Sequence, residues 1–220
     1  MTAGSAHDRL ATALAPLPLV AILRGLRPDE SVAIGSVLFD AGWRIVEVPL
    51  NSPEPLLSIA ALADALPDAL VGAGTVLTVR DVREVHAAGA RLVVAPNFSA
   101  EVVREAVGLD MLALPGVLSA SEAFAALAEG AAGLKLFPAE MVPPAAVKAV
   151  RAVLEPATIV LPVGGITLEN MGAYRAAGAS GFGVGSSLYK PGSSVDTVAE
   201  AARRWAAAWH GRPATDPTTV

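Results

Sequence analysis

Short β-rich runs alternate with alanine-rich helical stretches from residue 19 to residue 209, and few architectures accommodate that rhythm. Strands are expected near 19–23, 44–48, 70–74, 91–95, 111–114, 132–137, 159–163 and 181–185. Helices are expected near 29–41, 53–66, 78–88, 99–107, 119–129, 143–154, 167–177 and 194–209. Ser52, Thr78, Ser99, Thr167 and Ser119, the last with Glu122 three residues on, are placed as N-terminal caps. Gly42, Gly89, Gly130 and Gly178 fall where helices should stop. Residues 5–14 read as an additional N-terminal helix and 211–220 as a frayed tail.

Eight strand–helix units predict an α/β fold, a (β/α)8 TIM barrel with an extra N-terminal helix. The expected unit is a single domain over 1–220 with its core at about 17–209. A doubly wound open sheet is the runner-up, but the first strand lacks the Gly-rich turn that such sheets use for dinucleotides.

Composition removes several function classes. The chain is 53% hydrophobic and 17% charged, enough apolar material for a large core. A net charge of −5 without a Lys/Arg cluster argues against nucleic acid. With no cysteine, disulfides and thiolate metal sites are impossible. No His-x-His and no paired acidic residues occur in a strand, so no metal is expected. No apolar run reaches the roughly 18 residues that span a bilayer. Met1–His7 does not resemble a signal peptide, so the expected location is cytoplasmic.

One of the three lysines, Lys135, lies inside the apolar run Gly133-Leu134-Lys135-Leu136-Phe137-Pro138. Desolvation there lowers an ammonium's pKa, and a neutral amine can attack a ketone to form an imine. A snorkelling lysine with its head in water is the plain alternative. Side chains on a barrel strand alternate between interior and helix layer. In the sixth strand Leu134 and Leu136 should face helices, turning Lys135 and Phe137 inward. In the second, Val46 and Val48 should face helices, turning Ile45, Glu47 and Pro49 inward. Two independent alternations thus place a carboxylate and a lysine in one cavity, as a buried ion pair or as an imine-forming amine with its proton shuttle. None of the three histidines competes, since His7 and His210 are terminal and His86 falls in a helical stretch.

Val163-Gly164-Gly165 ends the seventh strand and Gly183-Val184-Gly185-Ser186-Ser187 the eighth. Loops after those two strands of a barrel frequently bind phosphate through backbone amides, with Ser186 adding a hydroxyl. A Gly-Gly pair alone could be only a tight turn. The other strand ends carry Arg24, Asn51, Thr75 and Asn97 after Pro96. Arg24 suits a substrate carboxylate because its fork matches two oxygens, or it is an exposed loop arginine. Thr75 could equally cap a helix and Asn51 could be a turn residue.

The ordered motifs Ala21-Ile22-Leu23-Arg24-Gly25, Val46-Glu47-Val48-Pro49-Leu50-Asn51-Ser52, Gly72-Ala73-Gly74-Thr75-Val76, Ala95-Pro96-Asn97, Leu134-Lys135-Leu136-Phe137-Pro138 and Val163-Gly164-Gly165-Ile166 resemble the 2-keto-3-deoxy-6-phosphogluconate/galactonate aldolase family, from about residue 17 to 192. The resemblance implies a (β/α)8 class I aldolase, usually a homotrimer. It would cleave a phosphorylated 2-keto-3-deoxy sugar acid to pyruvate and glyceraldehyde 3-phosphate, without a cofactor. It implies Lys135 as the Schiff-base lysine and Glu47 as the general acid/base. Arg24, Asn51, Thr75, Pro96 and Phe137 would hold the pyruvate half, and Gly164, Gly165, Gly185 and Ser186 the phosphate.

Within that family the phosphogluconate branch typically reads Thr-Leu-Arg-Thr after the glutamate and valine, and Pro-Thr-Gly-Gly at strand seven. Here Pro49-Leu50-Asn51-Ser52 and Pro162-Val163-Gly164-Gly165 stand instead, as in the phosphogalactonate branch. A threonine at 163 could read the C4 hydroxyl of the gluconate epimer, whereas Val163 cannot hydrogen-bond there, which makes it the expected specificity residue. Phosphogluconate or 4-hydroxy-2-oxoglutarate cleavage, a phosphate-binding barrel isomerase and a non-catalytic sugar-phosphate binder are the competing expectations.

Overall fold

A computed structural model describes residues 5–211, so the expected tail at 211–220 lies almost wholly outside the described residues. The strands are β1 Leu19–Ile22, β2 Ile45–Pro49, β3 Leu70–Gly74, β4 Leu92–Val94, β5 Leu112–Leu114, β6 Gly116–Val117, β7 Leu134–Leu136, β8 Val160–Pro162 and β9 Phe182–Val184. The α-helices are α1 Ala6–Leu14, α2 Pro28–Asp40, α3 Pro55–Ala65, α4 Val79–Ala87, α5 Ala100–Gly108, α6 Ala120–Ala128, α7 Pro144–Arg151, α8 Met171–Ala176 and α9 Val195–Trp209. An unforeseen 3-10 turn, Ala139–Met141, follows β7.

Every strand pairing is parallel, and the ladders form two sheets. One has six strands in the order β5-β4-β3-β2-β1-β9, the other three in the order β6-β7-β8. The expected eight strands are therefore nine. The fifth is divided at Pro115, which has no N–H to continue the ladder. Across that division Pro115 O still accepts from Lys135 N at 3.0 Å. At the far side a single parallel bridge, Val163 to Gly183, links the chain beyond β8 to β9.

Most expected helix signals act as read. Thr78 with Asp81 and Ser119 with Glu122 form reciprocal capping boxes, and Ser99 accepts from Val102 N. Ser5, just before α1, caps it with Asp8. Gly42, Gly89, Gly130 and Gly178 all take positive φ beyond helix ends. Two caps are misplaced. Ser52 does not cap α3; its hydroxyl accepts from Gly25 N at 2.9 Å and ties the loop after β1 to the loop after β2. Thr167 bonds reciprocally with Asn170 in a turn ahead of α8, whose N-cap is Asn170.

The strand faces separate into two apolar layers, as side-chain alternation requires. Val46, Val48, Leu134 and Leu136 join the cluster shared with the helices. Val20, Ile45, Leu92, Leu112 and Leu161 join a second cluster on the opposite face, closed from below by Leu10 and Leu14 of α1. The additional helix thus plugs the end at which the strands begin.

Candidate active site

Glu47 and Lys135 are turned away from the helix-facing layer, Glu47 between Val46 and Val48 and Lys135 between Leu134 and Leu136. They belong to different sheets. Glu47 is 2% exposed and Lys135 6% exposed, so both charged groups have lost nearly all bulk water. Backbone bonds hold each in place: Glu47 O accepts from Leu23 N at 2.9 Å, and Lys135 N donates to Pro115 O.

Burial is the dominant influence on both. It pulls the Lys135 amine below the ordinary lysine range, against the charge of Glu47 and with the charge of Arg24. It pushes the Glu47 carboxyl above the ordinary carboxylate range, against Lys135 and Arg24. Desolvation therefore favours the neutral form of each group, the condition for a nucleophilic amine beside a proton donor. Among the described residues neither group joins an ion pair within 4.0 Å, so the buried-pair alternative lacks its contact. The Phe137 ring centroid lies 4.8 Å from Lys135 Nζ and covers one side of the amine.

A cavity of about 330 Å³ opens at the ends where the strands finish. Arg24, Phe137, Val163, Gly164, Gly165, Gly185 and Ser186 line it, so seven of the expected site residues converge. Lys135 and Glu47 are not among its lining residues. They connect to it through Phe137, which flanks the amine, and Arg24, whose charge acts on both. Arg24 is exposed and makes no ion pair among the described residues, leaving its fork available for an anion.

Gly164 and Gly165 adopt φ of 99° and 64°, a left-handed path that glycine takes without strain. The side they leave bare is occupied by Glu140, whose Cγ would lie 2.6 Å from a Cβ at Gly165. Glu140 therefore stands directly beside the amide-rich loop. Glu140 carries no obvious mark in the sequence beyond following the Phe137-Pro138 turn.

Three expected site residues stand apart. Asn51 is exposed in the turn closed by Ser52 N to Pro49 O at 2.9 Å, so its turn reading holds in the structure. Thr75 is not a helix cap, since Thr78 fills that role; its backbone instead takes φ 58°, a conformation uncommon for a non-glycine residue. Pro96 packs its carbonyl group where a Cβ at Gly116 would fall. None of the three lines the cavity.

The cavity also gathers Tyr189 and Lys190, which were not expected in a site, and Thr167, expected only as a helix cap. Tyr189 donates to Glu30 Oε1 at 2.8 Å, and burial followed by that bond drives its phenol well above the usual range. Lys190 had one available signal, as one of three lysines in the chain and close after the last strand. Among the described residues no group of three or more His, Cys, Asp or Glu could hold a metal ion. No helix among them is long and apolar enough to cross a membrane.

A lysine and a carboxylate buried on parallel strands of an α/β fold are what an imine-forming enzyme needs. Residues 10–200 match the family model described as Aldolase: KDPG and KHG aldolase, and the chain belongs to that family. It is 46% identical over 194 residues to the 2-dehydro-3-deoxy-6-phosphogalactonate aldolase of Escherichia coli (strain K12), covering 88% of this chain and 95% of that protein. The solved native KDPGal structure superposes with a TM-score of 0.87 at 45% identity, covering 89% of this chain and 95% of that one. A KDPG aldolase from Legionella pneumophila, solved with pyruvate captured at low pH as a covalent carbinolamine intermediate, is 27% identical with a TM-score of 0.77, covering 89% and 97%.

Proposed function

We propose that this protein is a class I aldolase that cleaves 2-dehydro-3-deoxy-6-phosphogalactonate reversibly to pyruvate and D-glyceraldehyde 3-phosphate. The observation that carries the reading is the pairing of Lys135 and Glu47, both stripped of water and each perturbed by the other. The identity to the Escherichia coli galactonate-branch enzyme supports the substrate, and the carbinolamine in the Legionella relative supports covalent chemistry.

In the proposed cycle neutral Lys135 Nζ adds to the C2 carbonyl carbon. Glu47 supplies the proton that lets the carbinolamine oxygen leave as water, giving a protonated imine. The resulting Glu47 carboxylate removes the C4 hydroxyl proton. The C3–C4 bond breaks, its electron pair moves into the imine, and glyceraldehyde 3-phosphate departs. Protonation of the enamine at C3, then hydrolysis, releases pyruvate and restores the amine.

Arg24 is the proposed partner of the substrate carboxylate, with Asn51, Thr75, Pro96 and Phe137 around the pyruvate half. Gly164, Gly165, Gly185 and Ser186 are proposed to take the phosphate through amides and one hydroxyl. The assignment to the C4 epimer rests on Val163, an apolar residue on the cavity wall. The second reading is cleavage of the gluconate epimer or of 4-hydroxy-2-oxoglutarate, favoured by a family model that spans both activities.

The two sheets are proposed to be arcs of one closed (β/α)8 barrel in a single domain, with β5 and β6 as one interrupted strand and the Val163–Gly183 bridge closing the circle. A homotrimer is proposed, for which exposed apolar side chains such as Phe124 and Met141 are suitable surface. A highly charged phosphorylated substrate supports a cytoplasmic site of action.

Incubation with pyruvate and borohydride, followed by peptide mass spectrometry, tests the reading. A reduced pyruvyl adduct on Lys135 is expected. Absence of any adduct, with activity intact, sinks the imine mechanism.

A further inference from the structure

A second cavity, about 440 Å³, lies at the opposite end of the strands from the first. Its volume falls within the roughly 300–1,000 Å³ usual for small-molecule sites. Ala13, Pro16, Leu70 and Leu112 give it an apolar floor, and Arg9, Arg44 and Arg91 stand around it. Three guanidinium groups on one cavity are conspicuous in a chain of net charge −5.

The three are not equivalent. Arg9 is committed to Asp110, with two nitrogens on the carboxylate at 3.1 and 2.8 Å. Arg44 is half-buried and rigid: Nη1 donates to Phe39 O at 2.8 Å and to Trp43 O at 3.0 Å, and the guanidinium lies 3.8 Å from the Phe39 ring centroid. Those bonds use one edge of the fork and leave the other unspent. Arg91 is exposed. Among the described residues neither Arg44 nor Arg91 meets a carboxylate within 4.0 Å, although Asp68 lines the same cavity. A partly desolvated cation without a counter-charge is costly, so an anion that fills the cavity gains what the protein leaves unsatisfied.

Both arginines line this one cavity from fixed backbones. Arg44 O accepts from Leu70 N at 2.7 Å, and Arg91 O accepts from Leu112 N at 2.9 Å, so both backbones are fixed at strand starts. They precede β2 and β4, which flank β3. Two strand spacings separate their anchor points by about 10 Å.

We propose that this cavity is a second ligand site, taking a small organic anion whose carboxylate or phosphate head is held by Arg44 and Arg91 and whose apolar body rests on Ala13, Pro16 and Leu112. The site is independent of the aldolase reading, because none of its residues takes part in the first cavity.

Calorimetric titration of the full chain at low ionic strength, with succinate and inorganic phosphate as separate probes, tests it. Saturable binding of at least one probe is expected, weakening on added salt. Arg91→Gln should weaken it at least tenfold while leaving aldol cleavage and thermal midpoint unchanged, since the Arg91 side chain has no hydrogen-bond or ion-pair partner to lose among the described residues. Ser186→Ala, in the first cavity, should leave it intact. The preferred probe tells which head the site favours. No saturable binding of either probe overturns the proposal, as does binding that Arg91→Gln leaves unchanged, whether or not Ser186→Ala removes it.

Discussion

The side chain of Glu47 occupies the space that a residue larger than glycine would need at position 74: a Cβ there would overlap Glu47 Oε1 and lie 2.9 Å from Glu47 Cγ. Gly74 closes β3 one strand away from Glu47, so its missing side chain is what lets the carboxylate stand beside the neighbouring strand. Gly74→Ala should push Glu47 off its position and lower kcat by about 10²-fold, a cost typical of removing a general acid or base. The change should leave the circular dichroism spectrum of the folded protein in place. Unchanged kcat would show that Glu47 tolerates displacement and is not the proton shuttle.

Charges around Lys135 act on it with opposite signs, and the pH at which the amine becomes trappable should follow them. Glu47 raises its pKa and Arg24 lowers it, while burial, the largest influence, lowers it. The pH midpoint of borohydride trapping with pyruvate should therefore lie below the ordinary lysine range. Glu47→Gln should move it lower still, and Arg24→Gln should move it higher. Shifts in the reverse directions would mean that Lys135 does not sense these two groups.

Val163 has an apolar side chain on the cavity wall and is 8% exposed. Val163→Thr should raise kcat/KM for the gluconate epimer relative to the galactonate epimer by about 0.5–1.5 kcal/mol of transition-state stabilisation, the net worth of one satisfied hydrogen bond. Steady-state cleavage of the two C4 epimers by both proteins measures it. Equal preference before and after the substitution removes Val163 from the specificity argument.

Burying an acid and an amine is a stability cost that the fold carries. Lys135 has a folded pKa below its unfolded one, so the unfolded chain binds more protons there and stability rises with pH between the two values. Glu47 has a folded pKa above its unfolded one, so stability falls as pH rises from the ordinary carboxylate range to the folded value. The double variant Lys135→Met with Glu47→Leu should erase both slopes and gain about 1–4 kcal/mol, as apolar replacements of buried charges often do. Urea unfolding across pH gives the comparison. A double variant less stable than the parent would show that the two groups hold the core together.

Much of the architecture could be read from local chemistry. The Thr78–Asp81 and Ser119–Glu122 boxes, the four glycine stops and the two-residue alternation around Glu47 and Lys135 involve neighbours a few residues apart. Local rules sufficed there because the partners are close in sequence. Ser52 and Thr167 carried the same local signal and misled, since Ser52 is engaged by Gly25 from another loop and Thr167 by Asn170 in a preceding turn.

What the chain alone determined is which residues face inward, because strand geometry sends successive side chains to opposite faces whatever the strand later packs against. What required the tertiary structure is who meets whom. That covers the division of the fifth strand at Pro115, the placing of Glu140 against Gly164 and Gly165, the crowding of Glu47 over Gly74, and the arginine-lined cavity built from α1 and the starts of β3 and β5. Those contacts join residues remote in sequence, and only the packing of the sheets and helices brings them within reach.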